Sequence, residues 1–210
     1  MFVVAFTAIG AARSGYDWRR HAVSSLACGR QGWWQRANFI VTGMLWCAAA
    51  RGLGQAPRRL VGPPIVPALV AAGGVGLVGS GLFVTDPVGG FPPPKVPAAE
   101  PRDDAAPVSP AQTWEGKLHN LSAIPIFAGI PVAGLVAAVA GVRARNYRWA
   151  CYSASSSLAM VGSFVLFGAA FGGKRNLAGS GGIFQRLSIA AGFGWVTALS
   201  CRTLCALQQR

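Results

Sequence analysis

Acidic residues are nearly missing from this chain. Six of its 210 residues are Asp or Glu, and charged residues of both signs make up only 12%. A soluble domain usually carries about 25% charge, so a water-exposed surface is excluded for most of the length. Histidine is scarcer still, with two copies, and neither an H-E-x-x-H nor a C-x-x-C pattern occurs. That excludes the common zinc-protease and zinc-ribbon frameworks. The five cysteines, Cys28, Cys47, Cys151, Cys201 and Cys205, are scattered. Four lie in or beside apolar segments and read as small packing residues, with no disulfide framework implied. A dense basic stripe with interleaved aromatics is also missing. The formal net charge of +13 therefore points away from nucleic acid and towards anionic lipid head groups as partners.

What the chain does have is long uncharged stretches. Hydrophobic residues make up 52%, and there are 28 glycines. The apolar segments cover residues 1–12, 37–50, 60–85, 121–142, 149–172 and 187–207. A bilayer core of roughly 30 Å needs about 20 helical residues to cross. Backbone in hydrocarbon must bond internally, which a helix does within one segment. The prediction is an all-α, polytopic, multi-pass protein of the cell membrane. It forms one transmembrane domain over residues 1–210, a bundle of about six helices. The last four segments are long enough. The second reaches that length if it runs on to Leu53, with Arg51 snorkelling. The first is short and lacks the basic flank of a signal peptide; it is expected to be the end of a truncated span. Gly73, Gly76 and Gly79, and the G-x-x-x-G of Gly168 and Gly172, suit close helix packing. The prolines at 63, 64, 67, 125 and 131 are expected to bend or delay helix starts.

Residues 87–116 form the one long connector, expected to be a mobile, Pro-rich loop. With Asp86, it holds five of the six acids. The short connectors near 51–59 and 143–148 carry three Arg each and no acid, which favours the cytoplasmic side for them and the C-terminus, but the other side has more Lys and Arg in total, eleven against eight, so the orientation stays open.

With six spans, connectors 13–36, 86–120 and 173–186 emerge on one side, and that side collects the chemistry. In the first, a helix over 15–26 would align Asp17, His21 and Ser24 or Ser25 on one face. A carboxylate can orient an imidazole, which can activate a hydroxyl or bind a metal. Asp86 ends a span before Pro87, and His119 and Asn120 sit at the mouth of the next. Asp17, His21, Asp86 and His119 are the candidate metal set, and a divalent cation is the one cofactor these residues could hold. His21, Ser24, Asp86 and His119 are the candidate catalytic set. The stretches G-W-W-Q-R-A-N-F from Gly32 and G-I-F-Q-R-L-S-I from Gly182 echo each other 150 positions apart. Their Gln-Arg pairs suit either interface anchoring or an anionic group.

The ordered motifs are G-Y-D-x-x-R-H-x-V-S-x-L, G-W-x-Q-x-x-N-F, F-x-T-D-P with a following G-x-P-P, L-H-N and F-Q-R. Over essentially its whole length the chain resembles the bacterial membrane-protein family called domain of unknown function 998, especially its actinobacterial members. The resemblance implies a compact bundle of six or so helices. Its motif positions fall on Tyr16, Arg20, His21, Ser24, Asp86, His119, Asn120, Gln185 and Arg186. It brings no activity, so whether the chain is an enzyme stays open. Three functions compete. One is binding of a lipid head group or small anion by a same-side polar pocket that includes Tyr16, Arg20, Asn120, Gln185 and Arg186. Another is a membrane-embedded, possibly metal-dependent, lipid hydrolase. The last is a structural or assembly subunit holding a second copy or another membrane protein.

Overall fold

The computed structural model describes residues 1–93, 112–172, 174–177 and 179–209. Of these, 77% are helical, and no strand occurs among them. The chain is an all-α membrane bundle of six principal helices: α1 (Phe2–Ala11), α2 (Trp33–Gln55), α3 (Ile65–Leu82), α4 (Trp114–Arg143), α5 (Tyr147–Phe171) and α6 (Gly181–Gln208). The last four are long and apolar enough to cross a membrane. At 23 residues α2 has the length, but Gln35, Asn38 and Arg51 dilute its apolarity. The ten residues of α1 are fewer than a crossing needs.

Local chemistry explains where the helices begin and end. Pro57 disfavours helical geometry at the residue before it, and α2 stops at an extended Ala56. A four-residue helical turn, Arg58–Val61, leads to Gly62 at φ 108°, a value only glycine adopts readily. Thr113 caps α4 by accepting from Gly116 N–H at 3.0 Å, and Asn146 caps α5 by accepting from Trp149 N–H at 3.2 Å. Inside α4 the chain widens to a π turn over Pro125–Gly129. Proline lacks an amide donor, and a local π adjustment lets the helix continue. The helix runs 30 residues without a break.

In hydrocarbon there is little hydrophobic drive between helices, so close backbone approach holds them. Between α2 and α3, Gly43 and Gly74 face each other, and a Cβ on Gly74 would sit 2.8 Å from the Gly43 carbonyl. Gly76 and Gly79 of α3 rest on Ser122 of α4, as the small-residue pattern predicts. The G-x-x-x-G of α5 behaves otherwise: among the described residues, nothing beyond its own helix lies within 4 Å of where a Cβ on Gly168 or Gly172 would sit. The N-terminal helix closes the bundle, with Phe2 stacked on Phe193 of α6 at 4.8 Å and packed on Phe39 of α2.

Candidate functional site

The first connector is not a helix. It folds as turns and a short 3-10 segment over Ser24–Ala27, so the predicted Asp17–His21–Ser24 face does not form. Asp17 and His21 still meet, but differently from the expected carboxylate–imidazole pair. The Asp17 backbone N–H donates to His21 Nδ1 at 2.9 Å, while the Asp17 carboxylate accepts from Arg19 N–H at 2.8 Å. An Nδ1 that accepts must carry no proton, which puts the proton on Nε2. The Gly89 backbone engages the ring as well. His21 is buried and lies over the Phe91 ring at 5.2 Å. Burial pushes its pKa below the ordinary histidine value; nearby Asp17 pulls it up less strongly.

Arg186 ties this connector to α6. It donates Nη1 to the carbonyls of Trp18 at 2.6 Å and Gly182 at 3.0 Å, and Nη2 to Tyr16 Oη at 2.7 Å. Tyr16 Oη in turn donates to the Ala22 carbonyl at 3.1 Å. Burial raises the Tyr16 pKa, with Arg186 opposing. Gly182 allows the approach, because a Cβ there would collide with the Trp18 and His21 carbonyls. The echoed motif works the same way at α2. Arg36 donates Nε to the Gly81 carbonyl at 2.9 Å and Nη2 to that of Leu82 at 3.3 Å, satisfying the open carbonyl end of α3. Both arginines therefore bind backbone.

The third connector joins the same end of the bundle. Cys28 Sγ donates to the Thr85 carbonyl at 3.3 Å, and burial raises that thiol's pKa to about 11. Asp86 accepts from Thr113 Oγ1 at 2.7 Å and from Thr113 N–H at 3.1 Å. Its carboxylate thus sits at the positive end of α4 and links that start to the end of α3. His119 Nδ1 lies 3.0 Å from the Phe83 carbonyl. A carbonyl only accepts, so Nδ1 carries the proton.

Between these elements lies a cavity of about 580 Å³. Ser24, Asp86, His119, Asn120 and Gln185 line it, together with Ser80 and Thr113. Seven phenylalanines line it as well: Phe2, Phe39, Phe127, Phe164, Phe167, Phe171 and Phe193. No Lys or Arg lines it among the described residues. Gln185 accepts from Val23 N–H through Oε1 at 2.6 Å, which leaves its amide N–H groups as donors.

The candidate residues thus divide. Ser24, Asp86, His119, Asn120 and Gln185 share the cavity. Tyr16, Asp17, His21 and Arg186 form the packed connector beside it, and Arg20 is exposed. The proposed four-residue metal set is accordingly split, and no group of three or more His, Cys, Asp or Glu is placed to hold a metal among the described residues. The phenylalanine lining was missed from sequence. Its signal was the Phe164, Phe167, Phe171 spacing, which aligns three rings on one helical face. The expected loop of 87–116 lies in part outside the described residues.

The family model described as "Protein of unknown function (DUF998)" matches residues 1–202, and the chain belongs to that family. No curated protein and no solved structure matches it.

Proposed function

We propose that this family member is a multi-pass protein of the cell membrane that holds a lipid with an uncharged, hydrogen-bonding head group. The observation that carries this reading is the composition of the cavity. Its seven phenylalanines offer an acyl or isoprenoid chain a rigid apolar wall. His119, Asn120, Ser24 and the Gln185 amide offer donors and acceptors in the same cavity. A volume of about 580 Å³ suits part of a lipid, since ligand cavities usually run from about 300 to 1,000 Å³. An anionic head is disfavoured, because no Lys or Arg lines the cavity among the described residues. The test uses full-length protein purified in mild detergent, with its retained lipids weighed by native mass spectrometry. Wild type should carry a neutral lipid, and Ala123→Trp, which intrudes on the cavity, should lose it while keeping the helical circular dichroism of wild type, with a midpoint lowered by the lost ligand. Identical lipid content in both proteins would refute the proposal.

A second reading, lipid hydrolysis, draws on a specific observation. Ser24, Asp86 and His119 line one cavity, and a neutral His119 with its proton on Nδ1 has Nε2 as a basic nitrogen. Release of fatty acid from a neutral glyceride by wild type, abolished in His119→Gln, would support it. Equal release by the two proteins would dismiss it.

A further inference from the structure

The opposite end of the bundle carries a separate concavity of about 280 Å³, lined by Arg58, Arg59, Asn146, Trp149 and Arg202. Arg202 reaches it from α6. Its Nη1 donates to the Leu60 carbonyl at 2.7 Å, and its guanidinium lies over the Trp149 ring, 4.7 Å from the centroid. Those two contacts set the plane of the group. A guanidinium is a fork of five N–H donors, so a fork held at one corner and along one face keeps donors for an anion. Arg58 and Arg59 stand on the adjoining helical turn with exposed side chains.

The charge balance of this end is unusual. The six acids of the chain are Asp17, Asp86, Glu100, Asp103, Asp104 and Glu115. None lies in 51–64, 140–149 or 199–209, the segments that form this end. Three guanidiniums therefore border one concavity without a carboxylate in any of those segments. A tryptophan beside them is the usual companion of lipid head groups at a membrane interface.

We propose that this concavity binds a phosphate-bearing anion. Arg202 acts as the oriented fork that pairs with two phosphate oxygens, and Arg58 and Arg59 close over the outer side. The phosphate belongs either to a lipid head group or to a soluble phosphomonoester, which present the same oxygens.

The full chain is reconstituted in nanodiscs of phosphatidylcholine doped with phosphatidylglycerol, and the lipids retained after detergent extraction are counted by native mass spectrometry. Two double variants remove equal charge from the same end. Arg58→Gln with Arg59→Gln alters the concavity, whereas Arg145→Gln with Arg148→Gln lies outside it. Retained phosphatidylglycerol should drop about ten-fold in the first pair and by less than about two-fold in the second. In phosphatidylcholine alone, inorganic phosphate and glycerol phosphate are added while the thermal midpoint is followed. A rise in wild type that the first pair lacks assigns the soluble source; phosphatidylglycerol retention assigns the lipid source. Equal losses in both pairs would reduce the effect to diffuse attraction and overturn the proposal. So would a wild type that neither retains phosphatidylglycerol nor responds to phosphate.

Discussion

Arg186 illustrates how a charge beside a membrane can serve the backbone. In sequence it belongs to a Gln-Arg pair at a helix mouth, which reads as an anchor or an anion site. In the folded chain it gathers the Trp18 and His21 carbonyls from a connector that has no regular α-helix to satisfy them. Leaving such acceptors without their charged donor costs about 1.5–3 kcal/mol. Arg186→Gln is expected to lower stability by that order in a denaturant titration, with Arg186→Lys recovering part of it. A fully stable glutamine variant would contradict the assignment. His21 predicts a pH effect. Burial lowers its pKa in the fold, so the unfolded chain takes up the proton more readily, and stability falls as pH drops below about 6.5. The midpoint of wild type should fall more steeply between neutral and mildly acid pH than that of His21→Gln. Parallel curves would remove His21 as the source.

Among the helices, glycine is read by its surroundings rather than by its spacing. Gly182, Gly43 and Gly74 sit where a Cβ meets backbone, which cannot swing aside as a side chain can. Gly162, Gly168 and Gly194 have open space. Gly182→Ala should therefore destabilise, detaching the first connector from α6. Gly168→Ala should be neutral or stabilise by up to about 1 kcal/mol through helix propensity. Thermal midpoints in one detergent compare the two. The same outcome at both sites would contradict the packing described here. The G-x-x-x-G of α5 could not be assigned from sequence, because that pattern records small residues without saying whether another helix lies opposite them.

The whole molecule has two chemically different ends. The described parts of connectors 13–36, 86–120 and 173–186 converge at one end through Arg186, Cys28 and the His21–Phe91 stack. The other end holds Arg58, Arg59 and Arg202 around its own concavity. If α2 crosses the bilayer, as its length allows, Arg20 and Arg58 lie on opposite faces. Single cysteines placed at 20 and at 58, in a chain whose native cysteines are replaced, should react with an impermeant maleimide from opposite sides of sealed vesicles. Labelling from one side only would show that α2 does not span.

Helical class and the family were legible in the residues themselves. Uncharged runs in a chain so poor in acid leave the backbone no partner in hydrocarbon but its own carbonyls, and the ordered motifs by themselves resemble the family whose model matches residues 1–202. The motif residues stand out by pattern, but neither their roles nor their division between cavity and connector could be read from it. Whether His21 faces a cavity or a backbone amide, and whether Arg186 meets an anion or a carbonyl, depends on groups up to 170 positions away. Only the folded chain brings those groups within reach, and at that distance hydrogen-bond geometry, not residue type, decides which partner a side chain takes.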